Sequence, residues 1–366
     1  MKIIGHSDIL GRLRKAISAD RIAHAYLFTG PPGVGKLPVA LWYAQLILTK
    51  AFPEQLPRAR SLEHPDMHFF FPVAAAEKIK RHAVSKWRSF LSGNPYGDLY
   101  DWYRHLGVEK KQGKIGVNEA REVVKQLALK PFLSNYKVFI VWQADQLNDP
   151  AANKLLKVLE EPPDNVVFIL IADNPGELLP TLVSRVQKVI FKPLPAHTLS
   201  EALQADGVES DRADWIAYQA QGSYRSALQL SVSVGDTARF ERWFILWIRN
   251  AFKALKNPKA LRELIAFADE LYKWSRDEQK QFLSFSTAVF RQAFLRNYDL
   301  PTPGLLELKS GNFKFESFCT YVKAANVAQI LHELNEAFYH IERNVNGKMV
   351  FLDMSVKMAR LLHAGK

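Results

Sequence analysis

The sequence predicts an α/β domain with a largely parallel sheet, then a small helical unit and an all-α C-terminal domain. Three observations carry that prediction. Up to Phe191, short apolar runs alternate with helical patterns, and after Lys192–Pro195 the strand-like runs cease. The runs are rich in Val, Ile and Phe without polar alternation, which suits strands covered on both faces. A glycine-rich run, GPPGVGKLP from Gly30 to Pro38, follows one such strand and opens a helix. The expected boundaries are 1–193 for the α/β domain, with a basic insertion at 77–114, then 194–236 for the small helical unit and 237–366 for the helical domain.

Ala25 to Gly30 reads as a strand ending in glycine, and the next helix carries Val39, Leu41, Trp42, Leu46 and Ile47 at helical spacing. Further strands are expected at His68–Val73, Lys137–Trp142, Val166–Ala172 and Val186–Phe191. Between the third and fourth lies the helix DPAANKLLKVLEEPP: Asp149 can cap it, Pro150 fits its first position, and Pro162–Pro163 stops it. Ala152, Leu155, Leu156 and Leu159 fall on one face of that helix. Residues 196–235 fit a few short helices and end near GSYRSALQL. From Phe240 onward, five amphipathic patterns match bundle packing, with apolar faces broad enough to bury some against other subunits.

Composition narrows the class. The 366 residues include a single cysteine, Cys319, which excludes an internal disulfide and any cysteine-rich metal site; within FESFCTYV it reads as a small packed residue. The N-terminus has no signal-peptide pattern, and no apolar run is long enough to span a membrane, so a cytoplasmic location is expected. The net charge of +12 favours polyanions such as nucleic acid, or is a solvated basic surface. Residues 77–114 hold nine Lys/Arg against four Asp/Glu, with Trp87, Tyr96, Trp102 and Tyr103 among them. Such a segment reads either as a nucleic-acid surface or as a helical insertion with its aromatics packed inward.

The glycine-rich run has the form of a phosphate-binding loop, with Gly30, Gly33, Gly35 and Lys36 in the expected places. In such loops backbone N–H groups cradle the phosphates, Lys reaches the β/γ-phosphates, and a following Ser or Thr holds Mg²⁺. Here Leu37 has no oxygen for a metal and Pro38 has no N–H to donate. ATPases with this loop place a metal-holding Asp at the end of a later strand, followed in some by a Glu that activates water. This chain has Trp142 and Gln143 at those positions, and Asp145 lies beyond them, where it reads as structural or interfacial. The expected result is a site that holds Mg-nucleotide weakly or serves only as a turn, and a chain that does not hydrolyse ATP alone.

IIGHSDILGRLRKAI, RIAHAYLFTGPPGVGK, HPDMHFFFP, ADQLNDPAANKLLKVLEEPP and LLPTLVSRVQKVIFKPL together resemble the delta-prime subunits of bacterial DNA polymerase III, in the AAA+ clamp-loader family. The likeness covers roughly residues 1–235 by motif and extends to 366 by helical pattern. It implies an AAA+ P-loop domain, a helical lid, and a helical collar. It also implies a stator subunit that does not hydrolyse ATP, within a hetero-pentamer of gamma/tau-like ATPases and delta that loads a sliding clamp onto primed DNA. The family's Ser-Arg-Cys motif reads Ser184-Arg185-Val186 here, so Arg185 is carried over as the arginine reaching the neighbouring subunit's ATP site. Pairing with a carboxylate of its own chain is the alternative for Arg185. Arg225, in GSYRSAL, matches a lid arginine facing the subunit's own nucleotide, or is a packing residue. Many relatives carry four zinc-binding cysteines; this chain has none there, so no zinc, no other metal and no required cofactor is expected, with weak ATP or ADP binding at most.

Two other functions compete with the stator. An active AAA+ ATPase motor on DNA needs a metal ligand and a base from outside the two altered motifs. A free-standing basic DNA-binding protein predicts tight DNA binding without partner subunits.

Overall fold

The computed structural model describes residues 2–73, 83–108, 113–232, 237–298, 308, 313–343 and 345–364. It divides into two compact units, Met1–Gly207 with Ala220–Gln229, and Val208–Gln219 with Leu230–Lys366.

The first unit contains α1 (Ser7–Ser18), β1 (Ala25–Thr29), α2 (Lys36–Thr49), β2 (Met67–Phe70), α3 (Ala83–Gly93), α4 (Leu99–Leu106), α5 (Val117–Leu127), β3 (Lys137–Trp142), α6 (Asp149–Glu160), β4 (Val166–Ala172), β5 (Gln187–Ile190) and α7 (Ala196–Ala205). The five strands form one parallel sheet in the order β2-β3-β4-β1-β5. Strand side chains alternate between two cores, as a period of two requires. On one face Tyr26, Phe28, Ile140, Trp142 and Ile169 join Leu41 and Ile47 of α2. On the other, Leu27, Phe139, Val141 and Phe168 meet Val123 of α5 and Leu155 and Leu159 of α6. Both faces of β1, β3 and β4 are therefore buried, which is why these strands read as unbroken apolar runs. β5 is an edge strand, with Gln187 and Lys188 exposed.

The expected α/β core and parallel sheet are present. One cap shifts by a residue: Asn148, not Asp149, caps α6, its side chain accepting from the Ala151 N–H at 2.9 Å, so Pro150 falls second in the helix. Asn148 and Asp149 are both competent caps; the extended backbone of Asn148 (φ −77°, ψ 159°) decides between them. Within the 77–114 stretch, residues 77–82 and 109–112 lie outside the described residues. The remainder is helical, and Trp87, Tyr96, Trp102 and Tyr103 are all buried. The Trp102 indole donates to the Pro72 carbonyl at 2.8 Å, and its ring meets those of Trp87 and Phe71 edge-on. These aromatics form core and cannot stack on bases; they pack inward.

The second unit contains the helix Ser210–Gln219 and the helices α9 (Thr237–Ala254), α10 (Pro258–Lys273), α11 (Arg276–Arg296), α12 (Ala324–Glu342) and α13 (Gly347–Ala364), the label α8 being kept for Tyr224–Val232, which straddles the division. Its core joins Phe244, Trp247, Phe267, Phe282, Ile330 and Phe351. Two of its buried polar groups pair across the bundle: the Trp247 indole donates to Ser355 Oγ at 2.9 Å, and Asn326 donates to the Leu361 carbonyl at 2.9 Å. Cys319 is buried there, and burial pushes its thiol up to about 11. Among the described residues no helix is long and apolar enough to cross a membrane.

Candidate phosphate-loop site

β1 delivers the loop at its C-terminal end. Gly30, Gly33 and Gly35 all have positive φ (150°, 76° and 108°), which bends the chain from strand to helix in a way side-chain-bearing residues resist. Gly33 has a second reason to be glycine: a Cβ there would lie 2.8 Å from Arg225 Cβ and against Ser223 Oγ. The first turn of α8 docks directly on the loop, with the Arg225 N–H donating to the Gly33 carbonyl at 3.3 Å. Leu37 is buried in the core, and Pro38 sits in the first turn of α2, where a missing N–H costs the helix nothing but removes one donor from its anion-facing end.

Lys36 is 5% exposed and points back into its own loop. Its ammonium donates to the carbonyls of Gly30 and Pro31 at 2.5 Å each and to Asp173 Oδ1 at 2.7 Å. An ammonium has three N–H donors, so all three are taken. Burial pushes the Lys36 pKa below its ordinary value, against the opposing pull of Asp173 and Asp145. Asp173 follows directly on β4, next to β1, and its second oxygen accepts from Gln143 Nε2 at 3.0 Å. Gln143 itself is buried in a left-handed conformation (φ 56°). Trp142, 2% exposed, packs its ring 4.9 Å from Trp87 and 6.2 Å from Phe90. Asp145 accepts from the Asn174 N–H at 3.2 Å, and burial raises its carboxyl above the usual range.

The structure lines one cleft with Gly33, Gly35, Lys36, Trp142 and Gln143, and the Gly30 carbonyl beside it takes the Lys36 ammonium. Sequence reasoning had brought all six together. It missed Asp173, whose one signal is that it is the first polar residue after a wholly apolar strand. It also missed the part played by Tyr96, Asp98 and Asp101. The Tyr96 ring lies 3.1 Å from where a Gly35 Cβ would be and 4.8 Å from the Tyr224 ring. Its hydroxyl accepts from the Ile4 N–H at 2.9 Å and donates to the Lys2 carbonyl at 3.3 Å. Arg225 meets Asp101 Oδ2 through Nε at 2.6 Å and Asp98 Oδ2 through a terminal nitrogen at 3.0 Å. Burial raises the Asp98 carboxyl above its usual range in spite of Arg225. At Asp101 burial acts the same way, but the Arg225 hydrogen bond and charge outweigh it and hold the carboxyl below the usual range.

As for a magnesium nucleotide, the donor set does not match its needs. The side chains of Leu37 and Trp142 offer no oxygen, Lys36 has no donor to spare, and both Asp173 oxygens are engaged. Among the described residues no group of three or more His, Cys, Asp or Glu is arranged to hold a metal ion.

Arg185 is elsewhere. It precedes β5, whose Gln187 is level with Tyr26, whereas the loop leaves β1 beyond Thr29, level with Ile190. At about 3.3 Å per residue the two lie roughly 20 Å apart along the strands, at opposite ends of neighbouring strands. Arg185 pairs with Glu160 at 2.9 Å and donates to the Thr181 carbonyl at 2.9 Å, both pair members being more than a third exposed. The carboxylate partner raised as an alternative from the sequence is thus present.

Residues 5–195 match the family described as "DNA polymerase III, delta subunit". The chain is 24% identical to the DNA polymerase III subunit tau of Bacillus subtilis over 99% of its own length and 61% of the relative's. It is 29% identical to the DNA polymerase III subunit delta' of the same organism, over 57% of this chain and 54% of that one. It thus spans less than two thirds of either relative. A crystal structure of a DNA polymerase III gamma subunit-related protein from Thermotoga maritima aligns over 98% of this chain and 99% of that one, at 15% identity and a TM-score of 0.43. With more than half of its length matched, the chain belongs to the DNA polymerase III, delta subunit family.

Proposed function

We propose that the chain is a delta-prime-like stator of a clamp loader. In this reading it does not hydrolyse ATP itself, it lends Arg185 to a neighbouring subunit's ATP site, and it supports loading of a sliding clamp onto primed DNA. Its partners are gamma/tau-like ATPases and delta in a hetero-pentamer, joined through the helical region 237–366. One observation supports the idle site above others: the loop lysine spends all three donors on its own chain. The altered metal positions, Leu37 and Trp142, point the same way.

The support for Arg185 is its position. It lies a strand length from the loop, too far to serve this chain's own phosphates, and an exposed pair such as Arg185–Glu160 contributes only about 0–1 kcal/mol. Letting go of Glu160 to reach a phosphoryl group in trans is therefore inexpensive, and a guanidinium there accelerates transfer by about 10³–10⁵. The motor alternative has two carboxylates at hand, Asp145 and Asp173, but Asp173 is committed to Lys36 and Gln143.

The test is ATP turnover. The chain alone should show none above background. In a loader reconstituted with its ATPase partners, Arg185→Ala should lower clamp-stimulated turnover by at least tenfold while assembly persists. Robust turnover by the chain alone that disappears with Lys36→Ala would establish the motor instead.

A further inference from the structure

The segment over the phosphate loop has the chemical order of a nucleotide. First comes an aromatic ring, Tyr96, lying against Gly35 and Tyr224, with its hydroxyl bonded to the backbone of residues 2 and 4. Two and five residues later come carboxylates, Asp98 and Asp101, both on the Arg225 guanidinium. The same cleft is lined by Tyr96, Asp98, Gly33, Gly35 and Lys36. We infer that Tyr96–Asp101 is a built-in pseudo-ligand that takes the place of a nucleotide, ring at one end and anions at the other, and so holds the Arg225 turn shut on the loop.

Three details favour a built device over a chance ion pair. The carboxylates are preset: Asp98 Oδ1 accepts from the Asp101 N–H at 3.0 Å and Asp101 Oδ2 from the Asp98 N–H at 3.3 Å, a reciprocal cap that fixes both at the start of α4. A third donor, Asn94 Nδ2, reaches the same Asp101 oxygen at 3.3 Å. The turn between ring and carboxylates is tight: a Cβ on Gly97 would meet Phe90 at 2.6 Å and Asn94 at 2.7 Å. Finally, Asp101 is 7% exposed and the Arg225 side chain 17%, so the pair is largely removed from water, where loss of either partner leaves a costly charge.

Were the anion a bound nucleotide instead, Arg225 would lose its partner each time the nucleotide left. Here the anion is covalently part of the chain, so the turn has one state. The inference builds on the reading that this chain's own site is idle, and the two can fail separately. Turnover by the wild-type chain defeats that reading. The melting experiment below bears on the pseudo-ligand alone.

Thermal unfolding of the full chain is followed with and without millimolar tripolyphosphate or ADP. Each value is referred to the same measurement on a variant that also carries Arg225→Ala, which removes general anion effects on a basic protein. The wild type should not respond. Asp98→Asn with Asp101→Asn should melt lower and regain about 3 °C or more with tripolyphosphate, because Arg225 has then lost both carboxylates and an added anion can take their place. Adding Tyr96→Ala should make ADP the better stabiliser of the two. If the double variant does not fold, Asp98→Asn alone is read in the same way, Asp98 being the more exposed carboxylate. An Arg225-dependent rise in the wild type, or a folded variant that ignores both anions, overturns the pseudo-ligand.

Discussion

The two ends of one parallel sheet hold cations in ion pairs of similar length and opposite character. At the loop end, Lys36 meets Asp173 at 2.7 Å and Arg225 meets Asp101 at 2.6 Å, in pairs whose cations are 5% and 17% exposed. At the other end, Arg185 meets Glu160 at 2.9 Å with 37% and 42% exposed. Distance barely separates these pairs, and burial does. In a dry environment losing one partner strands a charge, whereas in water each ion is resolvated at once. Cations are thus locked at one end and releasable at the other, which is the division the proposed stator reading requires: a closed loop of its own and an arginine that can leave its partner.

The sharpest way to break the comparison is Asp173→Ala. Lys36 would stay buried with only two carbonyls, and the unfolding free energy of the first unit should fall by about 3 kcal/mol, the scale for orphaning a buried charge. Chemical denaturation measures it; a loss under about 1 kcal/mol would mean that burial does not lock this pair. Asp173→Asn should recover part of the loss, since an amide oxygen still accepts from the ammonium.

A buried group with no partner gives the next contrast. His68 of β2 stacks on Phe139 at 4.7 Å, and its Nε2 has no partner among the described residues. Burial, with the nearby Lys137 charge, lowers its pKa from 6.5 to about 4. The unfolded chain then binds a proton that the folded chain refuses. Stability from this group is intact above pH 6.5, declines as pH falls from 6.5 towards 4, and is fully lost below; the loss is on the order of 3 kcal/mol. Denaturant curves at pH 7.5 and 4.5 should show most of that slope in the wild type and little of it in His68→Phe.

A smaller effect is expected for the Arg225–Asp101 coupling. A double-mutant cycle with Arg225→Ala and Asp101→Ala should return about 1–2 kcal/mol, more than exposed pairs give and less than the whole cost of either single change. Zero coupling would remove this pair from the locked set.

What the sequence revealed follows the same divide between local and distant. β3 and β4 were legible to the residue because both faces are buried and their apolar runs are unbroken. The edge strand β5 proved shorter at both ends than Val186–Phe191, since an edge needs less pairing. The loop glycines were legible because positive φ at 30, 33 and 35 demands them. Asp101 meeting Arg225 was not: 124 positions separate them, and no local spacing encodes that contact. Lys36 and Asp173 were hidden for the same reason, although each stands next to an element that was read correctly. The sequence showed Leu37 and Trp142 where side-chain oxygens were expected; only the fold showed which carboxylates meet Lys36 and Arg225.

The smallest expected stability effect belongs to the releasable end, and it sharpens the comparison most. Glu160→Gln removes the charge that holds Arg185, yet the unfolding free energy should move by no more than about 0.5 kcal/mol, as exposed pairs do. The Thr181 carbonyl remains as a weak tether at 2.9 Å. If Glu160 is merely a resting place for the arginine, a loader carrying Glu160→Gln should turn over ATP at least as fast as wild type, while Arg185→Ala in the same loader stays slow. The two variants break the same ion pair, so their stability changes should agree while their turnover diverges. Equal depression of turnover by both would mean that the pair itself, and not a freed guanidinium, is what the neighbour uses.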